Sequence, residues 1–125
     1  MILHLIHAGI LVSDTQRSLH FYRDILKLEV SAARPAMAYA GAWLTVGQQQ
    51  LHLIELPNPD STTGRPPHGG HDRHLAFSVN NISDLVAALT HANIAFTISR
   101  SGRQALFCRD PDGNALEFVE VRTET

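Results

Sequence analysis

The chain has 125 residues, 44% of them hydrophobic and 18% charged, with a formal net charge of −2 when histidine is neutral. That is enough apolar content for one compact domain. It leaves no basic footprint for nucleic acid, and no apolar run approaches the roughly 20 residues of a membrane span. The single cysteine, Cys108, excludes an internal disulfide; with no basic, cleavable leader at Met1–His7, it points to a reducing compartment, the cytoplasm.

In chain order, alternation over Leu3–Val12 predicts a strand, and Ser13-Asp14 offers a helix N-cap. Leu19, Tyr22, Ile25 and Leu26 then recur at helical spacing, predicting a helix to about Leu26. Leu28–Ala33 is a strand broken by Arg34-Pro35; Ala38–Val46 is another, carrying Tyr39 and Trp43. Gly47 and the glutamines make a turn, and Gln50–Leu56 closes a βαβββ module at 1–56. Pro57–Arg73, rich in Pro, Gly, Ser and Thr, reads as a linker. A second module, 74–125, begins with the strand His74–Val79. Asn81 or Ser83 caps a helix through Leu85, Val86, Leu89 and Ala92. Strands follow at Ala95–Ser99 and Gln104–Arg109, then the turn Asp110-Pro111-Asp112-Gly113 and a last strand, Ala115–Val121. The fold class is α+β, two βαβββ modules within a single domain.

The modules resemble each other in sequence. His7 to Asp14 reads like His74 to Asn81, and Leu51–Glu55 reads like Leu116–Glu120. The first-strand histidines stand 67 positions apart (7 to 74) and the last-strand positions 65 apart (52 to 117). Strand parity then separates neighbours. Leu51 and Leu53, like Leu116 and Phe118, suit a face packed under a helix. His52 and Glu117 point the other way. If each sheet curls, His7, His52, His74 and Glu117 converge on its concave face. Imidazole and carboxylate together suit a borderline divalent ion, Zn, Ni, Co, Fe or Mn.

Eight histidines give several competing candidates. His4 has the opposite parity to His7 and reads as solvent-exposed. His20 lies on the polar side of the first helix. His91 falls near the end of the second, where it favours the helix dipole. His68 and His71 read as solvated linker residues. Glu55 and Glu120 match in the repeat but share the core-side parity, and read as rim or dimer-contact carboxylates. Cys108 reads as a small buried strand residue with nothing to activate its thiol. For Tyr39 and Trp43, core and pocket readings stay open.

On His7 with Asp14 to Tyr22, Leu51–Glu55, His74–Phe77 and Asp110–Glu117, the sequence resembles the vicinal oxygen chelate superfamily. That superfamily includes glyoxalase I, extradiol dioxygenases and bleomycin-binding proteins. The resemblance implies two βαβββ modules curled as mixed sheets around a cavity, with a divalent metal between them. The ligands then fall on His7, His52, His74 and Glu117. It implies a homodimer and a small-molecule substrate, with no nucleic-acid or membrane partner. It also implies a metal-dependent lyase or isomerase working through an enediolate-type intermediate, with Glu117 and His52 as the catalytic groups. An extradiol-type dioxygenase and a non-catalytic, bleomycin-resistance-like binding protein are the alternatives. The sequence departs from glyoxalase I, which has Glu where His52 stands and Arg where Leu11 stands. It departs from the fosfomycin transferases at Gly9, where they carry Thr.

Overall fold

The computed structural model describes residues 1–99 and 104–121. It divides into two compact units, the first ending at Ser61 and the second beginning at Thr62. Residues 122–125 of the expected second module lie outside the described residues.

In the first unit β1 (His7–Val12) is followed by α1 (Thr15–Leu19), β2 (Glu29–Val30), β3 (Gly41–Val46) and β4 (Gln49–Glu55). The sheet order is β1-β4-β3-β2. β1 runs parallel to β4, and the remaining pairs are antiparallel. The second unit repeats this with β5 (His74–Val79), α2 (Ile82–His91), β6 (Phe96–Ile98), β7 (Ala105–Arg109) and β8 (Ala115–Glu120), in the order β5-β8-β7-β6. Its one parallel pair is again the first strand with the last. The two βαβββ modules read from sequence are therefore two open, four-stranded mixed sheets.

Parity places the core as expected. Leu51, Leu53, Leu116 and Phe118 are buried, each at 4% exposure or less, on the faces that α1 and α2 cover. Leu19 and Tyr22 are buried as the helical spacing requires, and so is Phe21. Ser18, Phe21 and Tyr22 are all buried, at the i, i+3, i+4 spacing of one helix face. Beyond α1 the chain widens into a π-helical turn at His20–Ile25, closed by Leu26 N–H to Phe21 O at 2.9 Å.

Several predicted strands are shorter than their patterns. The first begins at His7 rather than Leu3, and Met1 to Ile6 are exposed. The second keeps only Glu29–Val30 as strand. Tyr39 lies outside β3 because its carbonyl accepts from the Arg34 guanidinium at 2.7 Å instead of a ladder partner. Val46 and Gln49 join through a two-residue turn that needs Gly47 at φ +60°. Asn81, not Ser83, caps α2, accepting from Asp84 N–H at 3.2 Å.

The loop read as a linker does not stay free. From Thr62 onward it belongs to the second unit, where Gly69–His71 forms a 3-10 turn. Asp72 holds it down by accepting from Arg65 (2.6 and 2.9 Å) and from Arg109 of β7 (2.9 Å). Arg109 also donates to the carbonyls of Pro66 and Gly113. Two guanidinium groups around one carboxylate hold Asp72 well below the usual carboxylate range.

Glu55 and Glu120, read as rim or dimer-contact carboxylates, each accept from a backbone N–H of their own module. Glu55 Oε1 accepts from Thr15 N–H at 2.7 Å, and Glu120 Oε1 from Ile82 N–H at 3.0 Å. Each satisfies the first orphan donor of its module's helix, where a negative charge also suits the helix dipole. The core-side parity found in sequence is what aims them there.

Candidate functional site: two pairs of metal-type donors

In the first unit, the face opposite α1 carries His7 from β1, His52 from β4 and Trp43 from β3. Trp43 and His52 are direct cross-strand partners, and Gly9 lies across from His52 on the other side. The three rings stack. His7 and His52 have centroids 3.9 Å apart and planes 15° apart; Trp43 and His52 are 4.1 Å and 2° apart. With no side chain at Gly9, the diagonal pair His7 and His52 can close. A Cβ there would stand 3.1 Å from Ile54 Cδ1. His52 is 9% exposed, and its Nε2 hydrogen-bonds Gln50 Oε1 at 2.8 Å. Burial, and then the neighbouring His7, push the His52 imidazole below the ordinary His range. Both causes favour the neutral ring, the form that ligates metals.

In the second unit, His74 starts β5 and Glu117 sits on β8. Ala76 is the cross-strand partner of Glu117, so His74 reaches it diagonally. Nε2 of His74 lies 3.3 Å from Glu117 Oε1. Nδ1 of the same ring lies 2.8 Å from the carbonyl oxygen of Asp72. A carbonyl only accepts, so Nδ1 donates to it, and Nε2 is the ring atom that faces the carboxylate oxygen. A cation shared between Nε2 and that oxygen, a proton or a metal ion, fits this arrangement. Donor atoms roughly 2.0–2.2 Å from one metal ion, at angles of about 90–109°, stand about 2.8–3.6 Å apart; the observed spacing lies within that range. Phe107, cross-strand partner of Glu117, walls the pair with its ring 5.5 Å from that of His74.

Each unit by itself thus brings together two of the four expected residues, His7 with His52 in the first and His74 with Glu117 in the second. Among the described residues no group of three or more His, Cys, Asp or Glu forms a metal cluster. His68, expected to be solvated, instead hydrogen-bonds Thr97 Oγ1 through Nδ1 at 3.0 Å and packs edge-on against Phe107 at 4.6 Å. His4 and His20 are exposed, and His91 is the last residue of α2, as expected. Cys108 is buried, and burial pushes its thiol up to about 12.

Residues that sequence reading passed over support the pairs. Gln50 read only as the first residue of the strand Gln50–Leu56, and Asp72 as linker. A strand position two before His52 and a backbone carbonyl two before His74 were the available signals. Tyr39 and Trp43 line a cavity of about 460 Å³ with His7, His52 and Gln50, which settles the open choice in favour of the pocket. The Asp110 turn is structural. Its carboxylate accepts from the backbone N–H of Asp112 and Asn114, each at 2.9 Å, and so fixes the hairpin that delivers Glu117.

Residues 4–118 match the model of the Glyoxalase/Bleomycin resistance protein/Dioxygenase superfamily. The chain belongs to this superfamily. Among curated relatives it is 35% identical over 121 residues to the uncharacterized protein YaeR of Escherichia coli, covering 91% of this chain and 93% of YaeR. It is 27% identical over 118 residues to Glyoxylase I 4 of Arabidopsis thaliana, covering 90% of this chain and 67% of that protein. Among solved structures, its fold matches a mutant of the fosfomycin resistance protein FosX from Listeria monocytogenes, solved with Mn(II) and dihydroxypropylphosphonic acid. There the TM-score is 0.77 at 14% identity, over 98% of this chain and 95% of that one. As a superfamily member the chain carries the expected paired-module fold. No helix among its described residues is long and apolar enough to cross a membrane.

Proposed function

We propose that this superfamily member is a divalent-metal-dependent lyase or isomerase of the glyoxalase type, acting on a small carbonyl substrate through an enediolate-type intermediate. The observation that carries the reading is the His74–Glu117 pair: a ring oriented by the Asp72 carbonyl turns its Nε2 to a buried carboxylate oxygen at 3.3 Å, a spacing that suits two ligands of one metal ion. The neutral, ring-stacked His52 beside His7 supports it from the first module. His7, His52, His74 and Glu117 would hold the ion, with Zn, Ni, Co, Fe and Mn all compatible with such donors. When bound, a divalent ion supplies Lewis-acid polarisation of substrate oxygens.

The chain's own groups handle the proton. Glu117 is the base that lifts it from the carbon beside the substrate carbonyl, and its 5% exposure keeps water from competing for it. His52, held neutral, is the second group able to carry that proton. Trp43 presents a flat face against His52 in the first unit, and Phe107 stands across the strand from Glu117 in the second. The working unit in this reading is a homodimer in the cytoplasm, checked by light scattering on the purified protein.

Metal analysis of the purified protein, followed by turnover assays with methylglyoxal hemithioacetals, tests the proposal. His7→Ala and Glu117→Gln should each lose metal and activity together. Metal content that survives both replacements would sink the assignment. His52→Ala separates roles: metal kept with turnover lost makes His52 a base, and metal lost makes it a ligand.

A further inference from the structure

We propose that Arg34 is an oxyanion-binding residue on the His7–His52 face, so that the substrate of this site carries a carboxylate or phosphate group. This inference rests on the reading of that face as a substrate site, and it adds the substrate's charge. In sequence, Arg34-Pro35 reads only as a strand break. In the structure, Arg34 lines the same cavity as His7, His52, Trp43, Tyr39 and Gln50. Pro35 confines the Arg34 backbone to extended conformations, which fixes where the side chain leaves the loop. The guanidinium is then held from two sides. One amino group donates to Tyr39 O at 2.7 Å, and the guanidinium carbon lies 5.8 Å from the centre of the Tyr39 ring. The same amino group lies close over Gly41, where an added Cβ would stand 3.3 Å from it.

What this arrangement leaves over is the informative part. Arg34 Nε is buried and has no hydrogen-bond partner among the described residues. Among the described residues that line the cavity there is no Asp or Glu, and Arg34 brings the permanent positive charge. A buried guanidinium donor without an acceptor costs free energy. Guanidinium presents paired donors in a planar fork that fits carboxylate and phosphate oxygens. A ligand oxyanion supplies both the missing acceptor and the missing charge. Because Arg34 shares a wall with His52 and Trp43, a ligand anchored there presents its other end to the stacked rings.

The test uses the chain's single tryptophan, Trp43, which lines this cavity. Trp43 fluorescence is titrated with pyruvate, with inorganic phosphate and with the neutral pyruvamide, on the protein as purified and after chelator treatment. Pyruvate, phosphate or both should change the emission saturably in both preparations, and which of them acts identifies the oxyanion class. Pyruvamide should have little effect. Arg34→Gln should weaken anion binding at least about tenfold, a loss that matches one charge-assisted bond. Arg34→Lys, which keeps the charge but loses the Nε donor, should fall between. If Arg34→Gln fails to fold by circular dichroism, Arg34→Lys alone decides, and unchanged affinity there overturns the proposal. Equal response to pyruvate and pyruvamide, no response to any probe, or full affinity in Arg34→Gln overturns it as well. Anion binding that disappears on chelation, and returns with metal equally in Arg34→Gln, assigns the anion to the metal and leaves the proposed function standing. Arg34-dependent anion binding in a protein that carries no metal as purified and takes up none of the candidate divalent ions keeps this inference and removes that function.

Discussion

Replacing Glu55 and Glu120 in turn tests whether the repeat uses its second carboxylate pair for folding rather than chemistry. Glu55 accepts from Thr15 N–H at 2.7 Å, and Thr15 is 7% exposed. The neighbouring donors of α1 already have Asp14, whose Oδ1 accepts from Gln16 and Arg17. Glu55→Ala therefore leaves one buried N–H without its acceptor and removes a charge from a helix N-terminus. A hydrogen bond to a charged group contributes about 1.5–3 kcal/mol, so a loss of about 2 kcal/mol is expected. At a chain of this size that lowers Tm by roughly 6–10 °C. The Glu120 contact is longer, 3.0 Å, and exposed, so water replaces the lost acceptor; Glu120→Ala should cost about 0.5–1 kcal/mol. Glu55→Gln keeps an acceptor and should lose only the dipole contribution, about 0.3–1 kcal/mol. Urea denaturation followed by far-ultraviolet circular dichroism and by Trp43 fluorescence measures all three, and metal content should stay unchanged in each. A Glu120→Ala loss equal to or larger than that of Glu55→Ala would refute the burial argument. Lost metal in Glu55→Ala would refute the division between structural and chemical carboxylates.

Three further outcomes follow from the same structure. In metal-free protein the His52 imidazole should titrate below the ordinary value of about 6.5; His7→Ala should raise it only in part, because burial is the larger cause. The fold favours neutral His52, so its contribution to stability is complete above the ordinary His range and is lost as pH falls through it; an NMR midpoint at or above the free value would contradict this. Gln50→Ala removes the 2.8 Å partner of His52 Nε2 and should weaken metal retention about 10–100-fold in chelator competition, whereas unchanged retention would mean that Gln50 does not orient the ring. With its thiol pushed up to about 12, Cys108 should hold on the order of one thiolate in 10⁴ at pH 8, so alkylation should follow unfolding rather than proceed in the native protein.

The fold was legible because its two periods are unmistakable. Leu51 and Leu53 alternate with His52 over a strand, and Leu116 and Phe118 alternate with Glu117, so the face under each helix could be assigned from sequence. Boundaries were less legible where a backbone group is taken by something distant. Tyr39 has strand chemistry, but its carbonyl belongs to Arg34. Leu3 to Ile6 alternate well enough, yet of these residues Ile6 meets the ladder only through its carbonyl, which accepts from Gln50 N–H at 3.1 Å. The π-helical widening at His20–Ile25 has no sequence period of its own and could not be read.

Within the proposed site, the residues that pair in each module were legible and the groups that support them were not. His7, His52, His74 and Glu117 are found by repeat and parity, which are properties of single strands. Gln50, Asp72 and Arg34 act through a side-chain amide, a backbone carbonyl and a loop guanidinium, none of which repeats between modules. The two modules share a helix-capping Glu at matching positions and differ where His52 answers Glu117. Capping an N-terminus needs the same acceptor in both copies, so the repeat persists there. Holding a neutral donor in one copy and a charged base in the other needs different groups, and there the symmetry is broken. The broken position is therefore informative in a way the conserved geometry is not. It places a ring-stacked imidazole, held toward its neutral form, beside the arginine-lined cavity, and a buried carboxylate 3.3 Å from Nε2 of His74. A substrate that brings its own negative charge fits the first arrangement, and a proton to be moved fits the second.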